Sequence, residues 1–270
     1  MSIYGNYVKE NAAMQIKNAM ATYLNYDIDE TQLSESEMEA IHQELSIDSV
    51  NEAIDMDDGY GAALRPVFIV LLYSDSDFDH TAEKFVKNQD YWHAAIGFGP
   101  ALSRCYSFNY GEASANKIKG GLSFESLKFY KTAHPTGTMQ VSCVFLTPFK
   151  YKKLKATLDY YLRNKEKTRY SFINLLYSLF GHKTKNGLKL NLVCSTFVDT
   201  ILKSVNVDLN NGKTTNLVKP DDLKANDSKP KQFKVYQGRI VGYMPKRIAG
   251  IVEKLANDVN SNYFSKKRSK

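Results

Sequence analysis

Between residues 188 and 202 the chain changes its hydrophobic period with no loop in between. Residues 188–193 read as a short extended run that feeds straight into a helix. Phe197, Val198, Ile201, Leu202 and Val205 then recur at helical spacing, so one side of that helix must be buried. Cys194 falls in the first helical turn, on the side of the apolar stripe. Free N–H groups and the positive end of the macrodipole favour an anion at such a position. A thiolate is one: a free thiol titrates near about 8.5, and helix N-termini lower this to roughly 3.5–7.5. The plain alternative is that Cys194 is a small buried hydrophobe, as free cysteines usually are. A base within reach would separate the two readings, and a histidine far upstream qualifies.

Residues 90–98 alternate as a strand. Trp92, Ala94, Ile96 and Phe98 share one face and belong in the core, while His93, Ala95 and Gly97 share the other. The small neighbours leave room beside the imidazole for a helix end or a substrate, against the alternative of a purely structural histidine. Gly99, Pro100, Ala101, Leu102 and Ser103 form a turn, and residues 104–110 return as the next strand. That hairpin brings Ser107 or Asn109 opposite His93, depending on register. Either can orient the imidazole by accepting from its second nitrogen, as a third group does in catalytic triads.

The remaining elements frame this pair. Residues 67–73 are a continuous apolar run, a buried strand, and residues 75–88 contain a short helix. Gly120 and Gly121 break the chain before an extended stretch over 122–130, and residues 138–146 form another strand, with Cys143 in the core. Thr147 and Pro148 open a helix running to about Lys165, with Leu154, Leu158, Tyr161 and Leu162 inward and a strongly basic exposed side. Residues 170–180 read as a more apolar helix ending at Gly181. Residues 218–223 form a turn into a helical stub, 233–243 a pair of strands about Gly238, and a final amphipathic helix runs from Pro245 to about Asn257.

Charge divides the chain. Residues 1–64 hold two basic residues against 13 acidic ones, a balance of −11, and the remainder holds 34 basic against 16 acidic, or +18. Three segments follow: an acidic helical N-terminal arm over 1–64, a body over 65–243, and a C-terminal helix with a basic tail over 244–270. In the arm, Ser34 and Glu37 make a capping box, and Met38, Ile41 and Leu45 give a narrow apolar stripe. Asp55, Asp57 and Asp58 suggest calcium, but the closing Glu of an EF-hand loop is absent, so a solvated acidic arm is the better reading. The first residues lack a basic n-region and an apolar h-region, so no signal peptide is expected, and no apolar run approaches the ~18–20 residues of a membrane span. Three scattered cysteines make neither a disulfide framework nor a zinc site and suit a reducing compartment. No cofactor or metal is expected. The body's charge is compatible with nonspecific nucleic-acid binding, although no nucleic-acid motif is present.

The strand around His93, the helix start at Val193-Cys194-Ser195-Thr196-Phe197-Val198 and the later Val218-Lys219-Pro220-Asp221-Asp222-Leu223 together resemble the circularly permuted NlpC-type branch of the papain-like cysteine hydrolases, which includes lecithin–retinol acyltransferase-like enzymes. Histidine precedes cysteine here, as that branch implies. The resemblance covers roughly residues 65–243. It implies an α+β papain-like domain, an antiparallel sheet packed on helices, in which Cys194 is the nucleophile and His93 the base. It places Tyr170 in the substrate pocket, while the third position, where the family usually has His, Glu, Asn or Gln, falls nearest Ser107, with Asn109 two residues on. The implied substrates are peptide or peptidoglycan amides. Composition rich in Lys, Asn and Tyr also resembles proteins of phages infecting low-GC Gram-positive bacteria. That implies a host-cytoplasmic or virion location, other virion proteins as partners of the acidic arm, and, as the alternative to an enzyme, a structural virion protein that keeps the fold without the chemistry.

Overall fold

The computed structural model describes residues 64–268 apart from 77–78, 81–82, 85, 87, 111–119, 172–189, 227–228 and 230. The arm expected over 1–64, save its last residue, and the body of the helix expected over 170–180 lie outside the described residues. The described chain is α+β. Its central sheet is built from β1 (Arg65–Tyr73), β2 (His93–Gly97), β3 (Cys105–Asn109), β4 (Gly121–Glu125), β5 (Thr138–Leu146) and β8 (Phe233–Arg239). These six strands run in the order β4-β3-β2-β1-β5-β8. Every neighbouring pair is antiparallel. A small parallel pair, β6 (Arg169–Tyr170) and β7 (Asn191–Leu192), forms a separate two-stranded sheet. The main helices among the described residues are α1 (Leu127–Ala133), α2 (Pro148–Arg163), α3 (Cys194–Lys203) and α4 (Pro245–Arg268).

Helices cover both faces of the sheet, which explains the unbroken apolar run of β1: residues 67–71 have no exposed surface. Val67, Ile69 and Leu71 point to one face with Ala94, Ile96, Tyr106 and Phe108, and there α2 and α3 pack through Leu154, Leu158, Phe197 and Ile201. Phe68, Val70 and Leu72 point to the other with Ala95 and Cys105, where α1 and α4 supply Tyr130, Ile248 and Val252. The C-terminal helix is therefore part of the core of the body. Aromatic packing locks α3 to the first face, since Phe197 lies 5.0 Å from Phe108 and 5.2 Å from Tyr161, centroid to centroid.

Three local expectations need correction. The stretch over 122–130 is two elements: β4 ends at Glu125, and Ser126 caps α1 by accepting from the Phe129 N–H at 3.1 Å. Residues 233–243 are one strand followed by a 3-10 turn, because Gly238, at φ +154°, stays in register opposite Met139 instead of reversing the chain. Tyr170 belongs to β6 and does not open a helix.

Candidate functional site

His93 is the first residue of β2 and lies opposite Leu72 of β1, so it faces the α1 and α4 side of the sheet. β3 and β4 add Asn109, Ser123 and Glu125 to the same side, because Asn109 pairs with Gly121, Ser107 with Ser123 and Cys105 with Glu125. Glu125 is the group that holds the imidazole. Its Oε2 and Oε1 lie 2.9 and 3.0 Å from His93 Nε2, which donates. The carboxylate also accepts from Tyr130 OH at 2.7 Å, Ser123 Oγ at 3.1 Å and Asn109 Nδ2 at 3.4 Å. Its side chain has no exposed surface, against 20 % for His93.

A buried carboxylate survives ionised only when paired and hydrogen-bonded. Desolvation pushes Glu125 up, but the His93 charge and the donors from His93, Tyr130 and Ser123 outweigh it, and its pKa falls below the usual range. Desolvation likewise opposes the charged form of His93. The Glu125 charge and hydrogen bonds with Cys194 and Glu125 prevail, and they hold the imidazole well above the ordinary histidine range.

α3 approaches from the opposite face and delivers Cys194 at the start of β2. Val193 is the N-cap residue with extended backbone, and Cys194 is the first helical residue, 2 % exposed. The Thr196 hydroxyl accepts from the Val193 N–H and donates to its carbonyl, both at 3.0 Å, and so fixes the helix entry. Ser195 Oγ donates to Val218 O at 2.6 Å, tying the same turn to the 218–223 segment. The Cys194 thiol stands 3.9 Å from the Trp92 carbonyl oxygen, and it is near enough to the His93 ring to be among the groups that raise the imidazole. With Nε2 engaged by Glu125, Nδ1 is the nitrogen left for the thiol.

The segment after α3 positions the histidine too. The Asp221 carboxylate accepts from the N–H groups of Asp90 and Tyr91, both at 2.9 Å, so the approach to β2 is pinned from a turn 130 residues away. Lys224 pairs with Asp90 beside it.

The expected residues therefore separate. The structure brings Cys194 and Tyr170 near His93, and His93 and Tyr170 line a cavity with Glu125, Trp92, Asn109, Tyr130, His134 and Asp79, while Cys194 is not among its lining residues. That cavity is small, about 60 Å³. Burial and the neighbouring Cys194 push the Tyr170 phenol well above its usual range, so it stays a donor. Ser107 does not touch the imidazole: its hydroxyl donates to the Ala94 carbonyl at 2.6 Å, a bond inside the sheet. Asn109 reaches Glu125 rather than His93. Sequence reading missed Glu125 and His134. The signal for Glu125 was there: Gly121, Ser123 and Glu125 alternate with Leu122 and Phe124, which puts a polar face on that strand.

The other thiols have no such surroundings. Cys105 and Cys143 are fully buried, and burial raises both, Cys143 to about 12. Among the described residues no cluster of His, Cys, Asp and Glu is arranged to hold a metal ion, and no helix is long and apolar enough to cross a membrane. Comparison with family models, with curated proteins and with solved structures finds no match to this chain.

Proposed function

We propose that the protein is a cysteine-dependent hydrolase of amide bonds, with Cys194 as nucleophile, His93 as acid–base and Glu125 as the group that orients and charges the imidazole. One observation carries this reading: His93 is gripped between a fully buried carboxylate and the thiol at the first turn of α3. A purely structural histidine has no need of a buried carboxylate supplied with three further donors.

In the reaction the His93 imidazolium, held by Glu125, keeps at Nδ1 the proton that the Cys194 thiol has given up, and the sulfur bonds to the carbonyl carbon. Negative charge moves to the carbonyl oxygen, where the Cys194 backbone N–H and the Tyr170 hydroxyl are the candidate donors. The imidazolium, stabilised by Glu125, then passes its proton to the leaving nitrogen. The C–N bond breaks and an acyl-thioester remains. Water, deprotonated by His93, attacks that carbon; the C–S bond breaks, the acid departs, and the proton returns to the Cys194–His93 pair. The order of histidine and cysteine along the chain, and a third-position Glu of a kind that family uses, support assignment to the permuted NlpC-type branch of papain-like hydrolases. Peptide or peptidoglycan amides are the proposed substrate class.

The test is the rate of modification by a cysteine-directed electrophile at near-neutral pH. Cys194 should label fast in the wild type, and His93→Ala should slow it about 10²-fold or more, the usual worth of a positioned base. Cys105 and Cys143 should stay unlabelled, and Cys194→Ala should abolish the fast phase. Labelling of Cys194 at the rate of a free thiol, indifferent to His93→Ala, would leave a structural protein with the fold alone.

A further inference from the structure

α2 is amphipathic with an unusual outer face. Inward it buries Tyr151, Leu154, Leu158, Tyr161 and Leu162. Outward, Phe149, Lys153, Ala156, Tyr160 and Arg163 follow one another at alternating steps of four and three residues, a seam along one side of the helix. Phe149 is 78 % exposed and Tyr160 44 %, two of the four large hydrophobic side chains most open to solvent among the described residues. Around them, residues 148–167 carry seven cations against two carboxylates. The first turn of α2 has no acidic residue, although helix N-termini favour them. A partner for this face must therefore be anionic and carry a narrow apolar stripe.

We propose that this partner is the chain's own segment 27–58, docked along the outer face of α2. That segment holds 12 carboxylates and no Lys or Arg, with Met38, Ile41 and Leu45 spaced to fall on one side of a helix. Its exit point favours the same place. Arg65 opens β1 opposite Leu146, the last residue of β5, and Thr147 immediately caps α2. The Arg65 guanidinium lies 5.8 Å from the Tyr151 ring on that helix. The arm thus leaves the body beside Phe149. α2 is about 24 Å long at 1.5 Å per residue, and the five residues 59–63 between the segment and Leu64 can span about 17 Å when extended. Reach does not limit the contact, and a tether of this kind gives an effective concentration of order millimolar. Because exposed charges are screened beyond about 8 Å at physiological salt, the lysines attract the segment and the apolar stripe seats it on Phe149, Ala156 and Tyr160. This docking is independent of the chemistry at Cys194.

The test uses the full chain, mixed from unlabelled and ¹⁵N-labelled preparations, and a zero-length carbodiimide cross-linker read by peptide mass spectrometry. Same-chain links should join carboxylates of 27–58 to Lys150, Lys152, Lys153 or Lys155. Their yield should fall about tenfold between about 50 and 500 mM salt, as contacts held partly by exposed charge do. K152E/K153E should lower it similarly at unchanged Tm, since both lysines are exposed, and I41S/L45S should lower it without altering the charge. Links mainly between differently labelled chains would make a second copy the occupant, and links to lysines elsewhere, or none, would leave the face without the arm. Protection of these lysines by a short DNA duplex, with no same-chain links in its absence, would assign the face to nucleic acid. Each of these overturns the proposal.

Discussion

Glu125 sets both the charge state of His93 and the local stability. In Glu125→Gln the amide keeps the shape but cannot stabilise an imidazolium, so labelling of Cys194 should slow by about 10²-fold or more, with the fast phase moving in its pH dependence. In Glu125→Ala, His93, Tyr130 and Ser123 lose their common acceptor in a buried site. Such a loss costs about 3–5 kcal/mol, and a drop below about 1 kcal/mol in denaturant unfolding would show that the network adds nothing to the fold. His134, on the rim of the same cavity, gives a second residue-level prediction. Burial, reinforced by the positive charge of His93, pushes it down to about 4. The unfolded chain takes up that proton near about pH 6.5, so the folded state loses stability as pH falls from about 6.5 toward 4. Over that window the raised pKa of His93 keeps its contribution intact. Glu125, with its lowered pKa, begins to lose its own only as pH falls through the ordinary carboxylate range, and equally in wild type and in His134→Gln. Unfolding free energies at pH 7 and 4.5 should therefore differ between wild type and His134→Gln by an amount on the order of 2 kcal/mol. Equal slopes would remove His134 from the acid response. His93 and Cys194 were legible because each breaks a regular pattern, one in a strand face of small residues, the other at a change of period. Glu125 was hidden because it lies 32 residues from His93 and the extended stretch was read through Ser126, past the helix cap that ends it.

At the level of elements, the site is held by contacts distant in sequence. The Gly120-Gly121 pair lets β4 pass close under β6: a Cβ at Gly121 would stand 2.4 Å from Thr168 Oγ1, and one at Gly120 2.7 Å from Tyr170 Cβ, where φ is also +63°. Gly120→Ala should therefore both strain the backbone, by about 1–2 kcal/mol, and displace Tyr170. The check is a paired measurement of Tm and of Cys194 labelling, and an unchanged pair would mean that β6 gives way freely. Asp221 is the corresponding anchor for β2. Asp221→Ala leaves the N–H groups of Asp90 and Tyr91 without their acceptor, which should cost about 1–3 kcal/mol and slow labelling, while Asp221→Asn, which keeps acceptor capacity on its carbonyl oxygen, should recover part of both. The 218–223 turn was legible as a motif, but what it does was not, because hydrogen bonds to a backbone 130 residues away leave no periodic trace. The pair of strands expected about Gly238 failed for a related reason. Glycine marks a tight turn in sequence, and here its positive φ serves a strand that keeps its register with β5.

At the level of the whole molecule the sheet is a partition: the thiol arrives from the layer of α2 and α3, the histidine and its carboxylate from the layer of α1 and α4. They meet only at the open end of β2, so the distance between the Cys194 thiol and the His93 ring depends on how α3 is seated against a sheet whose other side holds the histidine. The continuous apolar run of β1 made the burial of that strand readable, yet nothing in the sequence said which helix takes which face, since every helix here offers an apolar stripe. The division gives a prediction of its own. Ile201→Ala on α3 and Ile248→Ala on α4 remove the same atoms from two equally buried positions, 0 % and 2 % exposed. Each should cost about 2–5 kcal/mol and lower Tm comparably. Only Ile201→Ala loosens the helix that carries Cys194, so it should alter the labelling rate under native conditions, where the folded fraction is still near one. Ile248→Ala leaves β2, β4 and α3 in place and should keep that rate within about twofold, since distant sites without shared partners act independently. Equal effects on labelling would mean that the two layers move as one unit and that the thiol is seated by the whole core rather than by its own helix.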